Sequence, residues 1–360
     1  MSYDINLPSY SIGSDVYDRV SSICEPYGKR AVVIGGKTAM EKAVPKLKCA
    51  VSDRKLEITD CLWYGGEASY ENVEALALQS SVKSADMIFA VGGGRAIDTA
   101  KALAHAAGKP VFTFPTIASN CSACTSVSIM YKPDGSFLKP YFFEKPPAHA
   151  FIDTQIIANS PYRYMWAGIG DTYAKYFESS VSSRNEEVPH YVKSGVINSL
   201  MCYEPMLKYG KKALEDMRDG RFSFEFEQVV LSIIVSTAIA SIFLTADHII
   251  DYNTGLAHAI FYALTSYPHI EERHLHGEVV GYGVLILLLV DGDEENFGKL
   301  FEFNKSVGLP TRLSDIELTS EEIPALVKAS LAMKDIEHNP YKITLDMLAA
   351  AFNRLEEMNQ

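Results

Sequence analysis

The sequence predicts an α/β domain over residues 1–160 followed by an all-helical domain over residues 161–360. Three observations carry this. Short β-rich runs alternate with helical patterns up to about Pro161, three consecutive glycines join one strand directly to a helix, and long apolar or amphipathic segments with few β-rich runs fill the remainder. At 360 residues the chain is long enough for two cores.

In chain order, RAVVIGG at 30–36 reads as the first strand and is followed by a helix near 38–47. DCLWYGG at 60–66 is the next strand, with a helix from about 70 to 83. MIFAVGGG at 87–94 leads into a helix from Ala96, and PVFTFPT at 110–116 is the next β-rich run. Strand and helix in alternation imply a mostly parallel sheet with helical crossovers. In SIMYKPDGSFLKPYFF, Pro133, Asp134 and Gly135 stand between two β-rich runs, the signal of a hairpin turn. Beyond Pro161 the period becomes helical. The longest apolar stretch, VVLSIIVSTAIASIFLTA at 229–246, is interrupted by Ser and Thr and flanked by Glu225, Glu227 and Asp247, so a buried helix is expected rather than a membrane span.

Composition excludes several classes. Hydrophobic residues make up 48% and charged residues 22%, the balance of a folded globular protein. A net charge of -12 without clustered Lys and Arg argues against a nucleic-acid partner. MSYDINLPSYSIGSD has neither the cationic nor the apolar region of a secretory leader, so a cytoplasmic protein without membrane attachment is expected. The six cysteines, at 24, 49, 61, 121, 124 and 202, are too scattered for a disulfide framework.

Four stretches carry chemistry. Gly92, Gly93 and Gly94 let the backbone approach a ligand closely at a helix N-terminus, whose unpaired N–H groups suit a pyrophosphate; a tight turn is the alternative, since the G-x-G-x-x-G spacing is absent. Asp98, in the first turns of that helix, is either an exposed acid favoured by the helix dipole or a residue that fixes the loop. At the end of the strand 30–36, where an acid commonly holds a ribose diol, the chain has Gly35, Gly36, Lys37 and Thr38, which admits a 2′-phosphate and hence NADP(H) as well as NAD(H). SNCSACTS at 119–126 contains Cys121 and Cys124, a spacing compatible with a redox dithiol, half a zinc site or a pocket wall.

The fourth is distributed. Asp171 in GIGDTYAKYFES is expected to open a helix just after Gly170, as a cap or as a group pointing into a cleft. His258 stands in a small-residue apolar helix, and His276 lies at a helix start before Gly277. One Asp and two His on separate elements can supply the three protein ligands of an open catalytic zinc site, although spacing alone does not establish one.

With VVIGGKTA, VGGGRAIDTAKALA, PTIAS, GIGD, AHAI and HGE in view, the chain resembles the metal-dependent (type III, iron-containing) alcohol dehydrogenases, and within them the glycerol dehydrogenase-like group. The resemblance implies an N-terminal dinucleotide-binding domain and a helical metal-binding domain, the fold shared with dehydroquinate synthase. It implies Asp171, His258 and His276 as metal ligands. It also implies cofactor contacts from Gly94 through Asp98, including Arg95, from Thr116 through Ser119, and from Thr125, Val127 and Tyr131. Iron enzymes of the family carry a fourth ligand, His, four residues after the aspartate, where this chain has Lys175. The three-ligand pattern therefore resembles the zinc branch, with Fe2+ and Mn2+ as alternatives.

Glycerol dehydrogenases carry Thr-Asp after PTIAS, with the acid near the polyol, whereas Asn120 and Cys121 stand here. Loss of that carboxylate removes a repulsion against an acidic substrate, and Lys175 and Arg163 are candidate counter-charges. The implied reaction is reversible hydride transfer on a small polyol or alcohol. A 2-hydroxycarboxylate is the alternative substrate, and a phosphate ester, which needs a basic cluster not found in the matched segments, is the remote one. His274 is a candidate proton relay or orienting group, Glu278 a first-turn helix acid, and a homo-oligomer is expected by resemblance.

Overall fold

The computed structural model describes residues 3–52, 56–249 and 252–358. The chain forms two compact units, one of Asn6–Pro161 with Gly220–Phe222, the other of Met1–Ile5, Tyr162–Asp219 and Ser223–Gln360.

Among the described residues the first unit holds eight strands, β1 (Tyr10–Gly13), β2 (Arg30–Gly35), β3 (Glu57–Trp63), β4 (Met87–Gly92), β5 (Val111–Pro115), β6 (Val127–Tyr131), β7 (Phe137–Phe142) and β8 (His149–Asp153). Six form a parallel sheet in the order β1-β8-β5-β4-β2-β3, and β6 pairs with β7 as an antiparallel hairpin. The central strands β2 and β4 read as unbroken apolar runs because parallel sheets are covered on both faces; Ala31 to Ile34 and Met87 to Val91 are fully buried. Helices α1 (Lys37–Ala50), α2 (Tyr70–Ala77) and α3 (Gly94–Ala107) supply the crossovers. Tyr17, Phe89, Phe112, Phe114 and Phe151 fill one face of the sheet, with the Phe114 and Phe151 rings stacked at 5.0 Å.

Three expectations need correction. The strand at 30–35 is not the first, because β1 precedes it, and neither β1 nor β8 is expected from the pattern. The helix expected over 70–83 is two helices, Tyr70–Ala77 and Ser80–Ser84, broken where Gln79 turns extended. The helix after the glycines starts at Gly94, not Ala96.

The second unit is helical: α4 (Arg163–Ser182), α5 (His190–Ser199), α6 (Glu204–Arg218), α7 (Phe224–Leu231), α8 (Thr237–Leu244), α9 (Leu256–Leu264), α10 (His276–Asp291), α11 (Glu294–Val307), α12 (Ile323–Ser330) and α13 (Leu345–Glu357). A π turn at Ser232–Ser236 joins α7 to α8 into one rod, Phe224–Leu244, that is long and apolar enough to cross a membrane; 67% of its most apolar window is buried inside the protein, as in a core helix. Asp171 does not open a helix. It lies in the middle of α4, because the glycines before it are packing positions rather than breakers.

Candidate metal centre and glycine loop

Glycines let three helices of the second unit meet almost backbone to backbone. A Cβ on Gly170 of α4 would lie 2.1 Å from the carbonyl oxygen of Gly277 in α10, and one on Gly277 would lie 2.1 Å from the carbonyl oxygen of Ala167. Gly283 of α10 meets α9 in the same way, with its Cβ position 2.7 Å from the carbonyl oxygen of Ala257, next to His258. Side chains near this junction are therefore drawn together from distant parts of the sequence.

Asp171 Oδ1 lies 3.3 Å from His276 Nε2 and 3.7 Å from His258 Nε2, and the three candidate ligand atoms all fall within 4.8 Å of one another. Ligands at about 2.1 Å from a divalent cation stand about 3–4 Å apart, so the trio fits one ion and leaves room for a further ligand. His258 is buried, and His276, at 45% side-chain exposure, forms the open side.

Behind His258 stands Glu178, a residue that sequence reasoning passed over. It follows Asp171 by seven positions, two helical turns, which places both carboxylates on one face of α4; that spacing inside an apolar helix is the signal that could have found it. Glu178 Oε2 lies 2.7 Å from His258 Nδ1, and Oε1 accepts the backbone N–H groups of Gly255 at 2.8 Å and His258 at 2.9 Å. With Nδ1 held by the carboxylate, Nε2 faces Asp171 and would offer its lone pair to a cation that displaces its proton, as a carboxylate–histidine pair does. Burial opposes a charge on His258, yet Glu178 and Asp171 outweigh it and push the ring up to about 10. Burial alone would raise the Asp171 carboxyl, but His276 and His258 outweigh it and hold it well below the usual carboxylate range. The cluster thus favours positive charge at its centre.

Lys175, on the same face of α4, donates from Nζ to the carbonyl oxygen of Asn253 at 2.5 Å and to its Oδ1 at 2.8 Å. The buried ammonium ties down the segment leading into α9, which limits it as a counter-charge for substrate. Arg163 donates to the carbonyl oxygen of Arg273 at 3.4 Å. His274 Nδ1 lies 2.8 Å from Glu278 Oε1, and Glu278 Oε2 accepts the Leu275 N–H at 3.0 Å. Glu278 is therefore a buried anchor of the α10 N-terminus rather than only a first-turn acid, and His274 braces it two residues before His276.

In the first unit, β4 ends at Gly92 with φ 149°, a conformation that favours glycine, and α3 starts two residues later. Cβ atoms on Gly93 and Gly94 would meet Ile117 Cδ1 at 2.6 Å and Asn120 Nδ2 at 2.5 Å, so the PTIASN segment packs directly on the glycines. Thr116 is buried there, its N–H donating to Gly92 at 3.1 Å, and Ser119 is half-buried. Asp98 is not an exposed acid. It is buried, accepts from Ser122 Oγ at 2.6 Å and Ile129 N at 3.2 Å, and pairs with Lys101 at 3.0 Å. The ammonium of Lys101 also reaches the carbonyl oxygens of Ser122 at 2.9 Å and Val127 at 2.5 Å, and Thr125 Oγ1 at 3.4 Å. This Asp-x-x-Lys pair, unforeseen as a unit, staples the loop 121–129 to α3, so Asp98 is a residue that fixes the loop.

Arg95 pairs with Glu67 at 2.8 Å and lies over the Tyr131 ring at 5.2 Å. The N–H of Gly36 donates to Val91 at 3.2 Å, which sets the end of β2 beside the glycine turn, and the Lys37 ammonium lies 4.5 Å over the Trp63 ring. Cys121 is half-buried, while Cys124 is 1% exposed and burial, aided by Cys121, pushes its thiol far above the ordinary range. Neither is in a disulfide. Of the two, Cys121 is the more accessible, and Cys124 is packed as a core side chain.

Residues 8–154 match the family model described as iron-containing alcohol dehydrogenase. Hydroxycarboxylate dehydrogenase A of Escherichia coli K12 is 32% identical over 332 residues, covering 91% of this chain and 89% of that protein. Glycerol dehydrogenase of Escherichia coli O6:H1 is 29% identical over 361 residues, covering 98% and 95%. The crystal structure of glycerol dehydrogenase from Schizosaccharomyces pombe superposes with a TM-score of 0.86 at 26% identity, covering 99% of this chain and 91% of that one.

Proposed function

The chain belongs to the iron-containing alcohol dehydrogenase family, and from that premise we propose that it is an NAD(P)-linked, metal-dependent oxidoreductase acting reversibly on the CH–OH group of a small polyol or alcohol, as a glycerol dehydrogenase does. The observation that carries this reading is the Asp171–His258–His276 cluster with Glu178 behind His258. A divalent cation held by these three side chains, with zinc the proposed ion, supplies Lewis acidity toward the alcohol oxygen, and a nicotinamide supplies the hydride acceptor. Glu178 holds the His258 tautomer, and the Glu278–His274 brace holds the helix start that carries His276. The backbone of Gly92, Gly93 and Gly94 and the first-turn N–H groups of α3 bind the pyrophosphate. Arg95, Thr116, Ser119, Thr125, Val127 and Tyr131 complete the cofactor contacts, with Gly36 and Lys37 at the adenosine ribose. A cytoplasmic homo-oligomer goes with the same reading.

Lys37, with no acid between Gly35 and Thr38, favours a 2′-phosphate. Lys37→Asp is expected to weaken NADPH binding roughly tenfold or more while changing NADH binding less, because it replaces an attraction with a repulsion only where the phosphate is present. Fluorescence titration with each dinucleotide measures this; equal losses for both would contradict the assignment.

A second reading, a 2-hydroxycarboxylate dehydrogenase, is favoured by Cys121 standing where a polyol enzyme of the group has an acid, and by the 32% identity to hydroxycarboxylate dehydrogenase A. The deciding experiment is a rate panel on zinc-loaded protein. Glycerol and 1,2-propanediol oxidation are set against 2-oxobutyrate and 2-oxoglutarate reduction, each with NAD(H) and NADP(H). Faster diol turnover upholds the polyol reading. Oxo acids ahead by tenfold, about 1.4 kcal/mol of transition-state binding, select the second. No dinucleotide-linked turnover on either class overturns both.

A further inference from the structure

Glu178 is itself backed by a group that no step above uses. The short helical turn Lys334–Ile336 packs against α9, and its Asp335 lines a cavity of about 10 Å³ together with Glu178, Gly255 and Asn339. Asp335 Oδ1 is fully buried and has no hydrogen-bond partner of normal geometry among the described residues, with the Thr254 hydroxyl as its polar neighbour. A buried carboxylate oxygen without a well-formed hydrogen bond is costly, and sites of this kind are ordinarily filled by water. The volume suits one water molecule, and in a wall that also includes Val181, Leu256, Leu287 and Ile336 the carboxylates of Asp335 and Glu178 are the groups that would hold it.

The lone pairs of Glu178 give that water a place to bind. Its Oε1 already accepts two N–H groups and its Oε2 one imidazole nitrogen, so one acceptor position remains on Oε2. Burial pushes the Asp335 carboxyl up, offset in part by Thr254 and His258, with the Glu178 charge adding to the rise. A water there donates one O–H to Asp335 Oδ1 and the other to the open position on Glu178 Oε2.

We infer that a single ordered water in this cavity links Asp335 to Glu178, which makes Asp335 a positioning residue for the metal centre, acting through Glu178 on His258. The inference rests on the reading that Asp171, His258 and His276 hold a cation. It places a structural determinant of cation affinity in a segment more than fifty residues beyond the last ligand in sequence.

Two measurements test it. In a high-resolution crystal structure of the unmodified chain, a water within hydrogen-bond distance of both Asp335 and Glu178 is expected; an empty cavity, or a water touching only one of the two, overturns the inference. In the second, zinc affinity is read by chelator competition, with thermal unfolding of the metal-free form alongside. Asp335→Leu, which fills the cavity and removes the link, should weaken zinc binding about tenfold, whereas Asp335→Asn, which keeps the Oδ1 acceptor for the water, should stay within threefold. Parent-like affinity in Asp335→Leu, or an equal loss in both variants, overturns it. An unmodified chain that binds no zinc overturns the metal reading itself, an outcome distinct from either variant result.

Discussion

Glu178→Ala is expected to weaken divalent-cation binding by about 10- to 100-fold, the usual cost of removing a carboxylate that orients a metal-binding imidazole. Truncation strips the acceptor from His258 Nδ1 and from the backbone N–H groups of Gly255 and His258, all of them buried. His258 then loses the bond that selects its tautomer, and the start of α9 loses the anchor that sets its position beside α4. The same orphaned donors should lower the stability of the metal-free protein by roughly 3–5 kcal/mol. Chelator competition and thermal unfolding read the two effects separately. Affinity unchanged within twofold would show that Glu178 is a packing residue with no bearing on the ion.

Gly277→Ala is expected to be the most disruptive single methyl group in the helical unit. The added carbon would lie 2.1 Å from the backbone oxygen of Ala167 and 2.8 Å from Asp171 Cβ, and neither is the end of a flexible side chain that can swing away. The helices α4 and α10 must separate, at a cost of about 3 kcal/mol or more. Since the substituted position lies between His276 and the helix that carries Asp171, cation binding should fall along with stability. Gly298→Ala in α11 is the matching control. Its Cβ meets nothing within 4 Å, and the change should stabilise by about 0.5–1 kcal/mol through helix propensity alone. Similar unfolding temperatures for the two variants would contradict the close-packing account.

The parts of the fold legible in the sequence are those that repeat a local physical pattern. The buried strands VVIG and IFAVG, the Pro-Asp-Gly hairpin and the strand–glycine–helix junction each carry their own signal within a few residues. The edge strand YSIG and the inner strand HAFID are four and five residues long, and their pairing is decided by partners far along the chain, which no local period reveals. The same distinction governs the site. Asp171, His258 and His276 stand out as residue types and by family resemblance, but GIGD reads as a helix boundary when viewed alone. Only the crossing of α4 with α10 explains why glycine stands there inside a continuous helix. Glu178, Lys101 and Asp335 are not legible in the sequence for a related reason. Each is a charged residue whose meaning lies in what it touches across the fold, and by composition each looks like an ordinary solvated side chain. Lys175 illustrates the converse, since its sequence position invites a role in the site while its ammonium is bonded to Asn253.

The measurement that tests the central claim most directly is calorimetric titration of zinc into chelator-stripped protein, run beside Asp171→Ala, with dinucleotide-linked alcohol oxidation or oxo-acid reduction assayed at each point. The three-ligand centre predicts one equivalent of zinc per chain, turnover that rises in step with occupancy, and neither tight binding nor restored turnover in the variant. Stripped protein that turns over at the full rate, or an Asp171→Ala variant that binds zinc as tightly as the parent, would contradict it.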